Sequence, residues 1–278
     1  MATLAHPPFA SSQRIRNAAQ NNPPMRPGEP DHKAVTVLQQ AIMAAGFPLE
    51  MGADGTFASR TATAVRLVQA RFQLSRDSGH AGREVINALD KALAGGLRPP
   101  LTVVGAKLSL MLQRTKMSHP QKLAPYFERA GELLSEFELE ITRVDKQLPH
   151  LDFHGTLDPG SPGDIQSIRE ASEKQTPGHS NVLRVIFADF VPRAPPFFGL
   201  TEGRKRTGMN VPDFILLNTA VLRDDKATLL HEMIHAALGF DGEDPDPTSI
   251  ASQGSSRTVF KFEHAAAMSV AFFSSKKE

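Results

Sequence analysis

The chain has 278 residues, 40% of them hydrophobic, and 31 Lys and Arg against 30 Asp and Glu give a formal net charge of +1. That length allows two domains with ordinary cores, and the near-neutral balance gives no electrostatic footprint for nucleic acid. Cysteine is absent, which excludes disulfides and thiolate ligands, so any metal site must be built from His and carboxylates. No stretch approaches the roughly 18 apolar residues of a membrane span.

Residues 1–30 are rich in Pro, Asn and Arg, and Pro23-Pro24, Pro27 and Pro30 predict an extended leader. Three short helices are expected next. Ala34, Val35, Val37, Leu38, Ala41, Ile42 and Ala45 follow a helical period that Gly46 ends. A second helix is expected over Thr61–Phe72, with Ala64, Val65, Leu67, Val68 and Phe72 inward, and a third over Arg83–Leu93, with Val85, Ile86, Leu89 and Leu93 inward.

The connecting residues carry a more specific pattern. Leu38-Gln39, then Ala53-Asp54-Gly55-Thr56-Phe57, then Thr61-Ala62-Thr63-Ala64-Val65 and Phe72-Gln73 are followed by a second Asp- and Gly-containing turn at residues 77–82. This stretch resembles the small bacterial peptidoglycan-binding domain, whose usual form is LQ, a DGxFG turn and TxxAVxxFQ. Ala58 stands where that family has its second turn glycine, and the second turn is longer here. The resemblance implies a three-helix domain over residues 31–96 with peptidoglycan as its ligand.

Gly95-Gly96-Leu97-Arg98-Pro99-Pro100 marks a boundary. Residues 97–124 read as a linker and helix, with Leu101–Leu112 helical, and Pro125–Lys146 also reads as helical. The stretch 148–177, rich in Gly, Pro, Asp and Ser, reads as loop, and its His150 and His154 as scattered loop histidines. Val182–Val191 is expected to be a strand, followed by a Pro-rich loop, the basic run Arg204-Lys205-Arg206 in an exposed loop, and a strand at Phe214–Asn218.

The strand leads into His231-Glu232-Met233-Ile234-His235. Asp224 and Asp225 can cap a helix here. Side chains four apart in a helix share a face, so the two imidazoles can share one metal ion, and Glu232 can serve as general base to a water beside it. In this composition chance gives about 0.02 occurrences of such a pattern. Strand, short loop and HExxH helix resemble the zincin metallopeptidases, which implies Zn2+ as cofactor and an upstream strand, here Ile215–Asn218, that pairs with substrate at the cleft.

A catalytic zinc takes three protein ligands, and the third is open. Asp241 lies six residues after His235, the position of the last ligand in metzincin-like HExxHxxGxxH or its Asp variant, but Leu238 stands at the turn glycine and Gly239 comes one residue late. Aspzincin-like use of a downstream loop would instead draw on Glu243, Asp244 or Asp246. Gluzincin-like use of a second helix would draw on Glu263 or His264, in the apolar stretch from Phe260 onward that reads as a final helix. Tyr126, Arg257 and His264 are candidates for stabilising an oxyanion.

The expected fold class is α+β, with a small all-α N-terminal domain followed by a zincin-like α+β metallopeptidase domain over residues 125–278. The expected function is a zinc-dependent peptidase with Glu232 as base, brought to the bacterial cell wall by its N-terminal module and acting on peptidoglycan or on a protein there. The N-terminus lacks the charged start and apolar core of a signal peptide, so the chain is expected to be made in the cytoplasm and to act outside it. Its delivery would be by lysis or injection, as a lysis enzyme or antibacterial effector, with a secretion apparatus and an immunity or inhibitor protein as partners. The other reading is a non-catalytic wall-binding protein with a degenerate peptidase domain. A carboxylate beside the first histidine favours the enzyme, because a purely structural metal site does not need one.

Overall fold

The computed structural model describes residues 4–276 apart from 48, 50, 51, 76–78, 96–104, 145, 146, 178–180, 193–195, 197, 207, 208, 239–243, 245 and 255. The chain divides into two compact units, Met1–Thr102 with Lys205–Asn210, and Val103–Arg204 with Val211–Glu278. Among the described residues no helix is long and apolar enough to cross a membrane.

The first unit is helical. Helices α1 (Pro7–Ser11) and α2 (Gln13–Ala18) precede α3 (His32–Ala44), α4 (Ser59–Arg71) and α5 (Arg83–Ala94). The last three match the expected helices. Asp31 caps α3 by accepting from the Ala34 amide at 3.0 Å, and Val35, Leu38, Ile42, Val65, Val68, Ile86 and Leu89 are buried together. The expected extended leader is instead part of this unit. Pro7 and Pro8 open α1, where a missing N–H is no loss, and Phe9 and Ile15 are fully buried. Asp90 of α5 accepts from the amides of Ala5 at 3.0 Å and His6 at 2.7 Å, and Arg14 pairs with Glu29 at 2.6 Å. The proline count concealed helix starts and a set of tertiary contacts that span the whole unit.

The second unit is a sheet between helices. Its strands are β1 (Ala106–Arg114), β2 (Leu139–Arg143), β3 (Leu183–Ala188), β4 (Gly199–Arg206), β5 (Met209–Asn218) and β6 (Ser274–Lys276), in the order β2-β1-β3-β5-β4 with β6 beside β1. The pairs β1–β2, β1–β3 and β3–β5 are parallel and β1–β6 is antiparallel. Helices α6 (Ala124–Ser135), α8 (Thr228–Leu238) and α9 (Phe262–Ser269) pack with Leu108, Leu110, Val185, Phe187, Ile215 and Leu217. The opposite face, with Ile186, Phe214 and Leu216, packs on Ile165 and Ile168 of α7 (Pro162–Gln175). Successive strand residues alternate faces, which is why neighbours such as Val185 and Ile186 belong to different cores.

Four local expectations are corrected. Leu101–Leu112 is not helical: its described part lies in the central strand β1, and Ala106, Leu108, Leu110 and Leu112 alternate with period two. The expected helix over Pro125–Lys146 ends at Ser135, and its β-branched tail forms β2. Residues 162–175, expected as loop, form α7, because Ser161 caps it by accepting from the Asp164 amide and Pro162 opens it. The basic run Arg204-Lys205-Arg206 belongs to β4 and not to a loop. The resulting architecture is an all-α N-terminal region followed by a mixed α and β unit whose strands and helices interleave.

Candidate metal centre

Helix α8 carries the HEMIH turn, and the sheet and the loop after the helix set its geometry. Asp225 accepts from the Ala227 amide at 3.1 Å just before the first turn, and Leu229, Leu230, Met233 and Ile234 are fully buried. The apolar flank locks the helix in rotation. His231 and Glu232 are buried and His235 is half-buried, which makes it the solvent-facing member of the three.

The two imidazoles converge. Nε2 of His235 lies 3.2 Å from Nε2 of His231, with the rings nearly perpendicular at 87°. Two nitrogens each about 2.0–2.1 Å from a tetrahedral zinc would sit roughly 3.3 Å apart. Nδ1 of His231 lies 2.8 Å from the carbonyl oxygen of Ile250. That oxygen can only accept, so Nδ1 carries the hydrogen and Nε2 keeps its lone pair toward His235. A carbonyl behind a ligating histidine is how protein metal sites fix the tautomer. The two nitrogens are therefore spaced to share one metal ion.

The segment that supplies this carbonyl is itself stapled. Ile250 donates to Val259 O at 2.9 Å, and Asp244 donates from its amide to Ala251 O at 3.2 Å. Lys261 reaches Asp244 at 2.7 Å and Asp246 at 3.4 Å. Arg257, fully buried, grips Asp225 through Nε at 2.7 Å and a second nitrogen at 3.2 Å. Burial pushes the Asp225 carboxyl up, but the bonds from Arg257 and Ala227 and the charges of Arg257 and Arg223 outweigh it and hold the group below its ordinary value. Sequence reasoning missed Ile250 altogether, since a backbone carbonyl leaves no residue-type signal.

Glu232 is met from the other side by β4. The Thr201 hydroxyl lies 2.6 Å from Glu232 Oε2 and 3.1 Å from the Glu232 carbonyl oxygen. Two residues earlier, a Cβ on Gly199 would stand 2.7 Å from Glu232 Oε1 and 2.8 Å from Thr228 Cγ2. Neither residue was flagged by its sequence context, because β4 itself was read as loop.

The remaining candidates are placed as follows. Asp241 and Glu243 lie outside the described residues. Among the described residues no third Asp, Glu or His joins His231 and His235 in a group of three. Asp244 is engaged with Lys261 and accepts from the Asp246 amide at 3.0 Å, and Asp246 accepts from Thr248 at 2.9 and 2.7 Å. Glu263 is half-buried in the first turn of α9, and His264 is buried with Nε2 3.9 Å from Asp244. Tyr126 is fully buried, donates to Asn218 O at 2.6 Å, and has its phenol pushed up by that burial. Tyr126 and Arg257 thus hold structure together. Ile215–Asn218 is not a sheet edge, since β5 lies between β3 and β4; the terminal strand is β4.

Comparison with known proteins gives likenesses to a family model and to solved structures. Residues 31–89 match the family model described as "Putative peptidoglycan binding domain". Among solved structures the chain is similar to metalloproteinase-II from Bacteroides fragilis, with 14% identity over 61% of this chain and 54% of that one, at a TM-score of 0.42. The chain thus spans about half the length of that structure. No curated protein sequence matches.

Proposed function

We propose that the second unit is a zinc-dependent peptidase and that the first brings it to bacterial peptidoglycan. The observation that carries the reading is the 3.2 Å approach of the two Nε2 atoms, with His231 tautomerically fixed by Ile250 and a carboxylate on the adjacent residue. His231 and His235 would hold the ion, with Asp241 as the proposed third ligand and Glu263 or His264 as its alternatives. A bound zinc would supply Lewis acidity to a substrate carbonyl and lower the pKa of a nearby water.

The protein's own groups do the rest. Glu232, as general base, takes the proton of the attacking water on a carboxylate oxygen and hands it to the leaving amine. An extended substrate peptide would add beside β4, the terminal strand, through main-chain hydrogen bonds. The match over residues 31–89 supports peptidoglycan as the partner of the first unit. A wall cross-link, or a protein close to the wall, is then the substrate brought within reach, as suits a lysis enzyme or an antibacterial effector.

The test is digestion of purified peptidoglycan and of an unfolded protein by the zinc-loaded chain, with and without chelator, with fragments identified by mass spectrometry. Chelator-sensitive fragments are expected from at least one substrate. Binding to peptidoglycan with no cleavage of either substrate would overturn the enzyme and leave a wall-binding protein.

A further inference from the structure

The contacts of β4 with Glu232 carry a role that the HExxH pattern does not contain. Thr201 Oγ1 sits between two acceptors of the same residue, the carboxylate Oε2 at 2.6 Å and the backbone carbonyl at 3.1 Å. A hydroxyl spanning a side chain and its own main chain fixes the rotamer of that side chain relative to the helix. Thr201 can do this because it is β-branched, with its own χ1 restricted, and because it is buried on a strand. Gly199 lies on the same strand face, two residues away. Any side chain there would drive into Glu232 Oε1, Glu232 Cγ and Thr228 Cγ2, all within 3.0 Å of the added Cβ.

We propose that Thr201 is the positioning residue for Glu232, and that Gly199 keeps the space into which Thr201 holds the carboxylate. The inference rests on the reading of Glu232 as general base. The hydroxyl engages carboxylate oxygen Oε2, and Oε1 lies on the Gly199 side. A base held within a few tenths of an ångström of its working position is what proton transfer requires. The same contact explains why the terminal strand tolerates a buried hydroxyl and a glycine two residues apart.

Thr201→Val keeps the shape and removes the donor, and Thr201→Ser restores the hydroxyl. With cleavage of a peptide substrate as the readout, Thr201→Val is expected to lower kcat about 10- to 100-fold with KM and zinc content unchanged. Thr201→Ser is expected to recover most of the loss. In the Glu232→Gln background, Thr201→Val should cause little further loss, since both act through one group. Equal impairment of the Val and Ser variants, or full additivity with Glu232→Gln, overturns the proposal. A Glu232→Gln protein that keeps full activity defeats the base instead. Urea unfolding of Thr201→Val, Glu232→Leu and the double variant, in which the acceptor is gone, reads the contact without turnover, and additive midpoints there overturn the proposal even if no substrate is cleaved.

Discussion

Each unit buries a polar group on a helix and meets it with a neighbouring segment, but the two networks end differently. In the first unit, Nε2 of Gln39 faces Asp54 Oδ1 at 2.8 Å, Thr56 O at 3.1 Å and Thr61 Oγ1 at 2.9 Å, while its Oε1 accepts from the Gly55 amide at 2.8 Å. Both the donor and the acceptor end of that amide are engaged, and the result is a fixed turn. In the second, two separate bonds fix the motif, Thr201 to Glu232 and His231 to Ile250, and the Nε2 atoms of His231 and His235 face one another. The first network is closed and holds a turn; the second is open in that its convergent nitrogens are where we place the metal. Gln39, Asp54, Gly55 and Thr61 are also the residues that carry the peptidoglycan-binding resemblance, so that pattern records how the turn is built before it records how a ligand is held.

The largest effect is expected where the open network meets chemistry. Glu232→Gln should lower kcat by about 10²- to 10⁴-fold with zinc retained, measured by cleavage assay and metal analysis on the same preparation. Retained zinc with lost turnover keeps the open end functional; lost zinc would make Glu232 part of the frame and erase the contrast.

Next comes the frame of the second unit. Arg257→Ala takes away the two-nitrogen partner of Asp225, leaving it Arg223 at 3.8 Å and the Ala227 amide, and should destabilise by about 3 kcal/mol, read by urea unfolding. The pH dependence has a definite sign. The folded pKa of Asp225 lies below its unfolded value of about 3.9. Its contribution is therefore present above that value and is lost as pH falls through the folded pKa. The parent should lose stability below about pH 4, and Arg257→Ala should show a shallower acid limb.

The closed network can be broken by Gln39→Leu. It leaves the buried Gly55 amide and the buried Thr61 hydroxyl without their shared partner, each stranded buried group costing about 1–3 kcal/mol. A loss of about 2–4 kcal/mol is expected, seen as faster hydrogen exchange across α3, α4 and the turn between them. If wall binding falls while exchange is unmoved, Gln39 reads ligand directly and the contrast between the two networks fails.

The three long helices of the first unit and the HEMIH helix were legible because period and capping are local. Phe9 and Ile15 were not, since their burial depends on contacts with helices that follow much later in the chain. Residues 106–114 were misread as helix because their alternation is broken by the buried Met111 and Gln113, and four apolar positions within a Leu-rich run also satisfy part of a helical template. The two His and the Glu were visible as a spacing. Thr201, Gly199 and the Ile250 carbonyl were not, because they come from separate segments of the chain and carry no motif. Topology corrected the edge as well. A strand just before the metal helix looks like the border of the cleft, yet β4 precedes β5 in sequence and lies outside it in the sheet.

The smallest expected effect concerns Tyr126, whose phenol could be mistaken for an oxyanion donor on residue type alone. Its hydroxyl donates to Asn218 O at 2.6 Å and ties α6 to the end of β5. Tyr126→Phe keeps the ring, loses that one bond and leaves a carbonyl to find another partner, at about 1 kcal/mol. The unfolding midpoint should move slightly and kcat should stay within about twofold, far from the roughly 10²- to 10³-fold loss that follows removal of an oxyanion donor. A loss of that larger size with an unmoved midpoint would place Tyr126 at the reacting carbonyl. The boundary between the frame of the second unit and its open end would then have to be redrawn around β5.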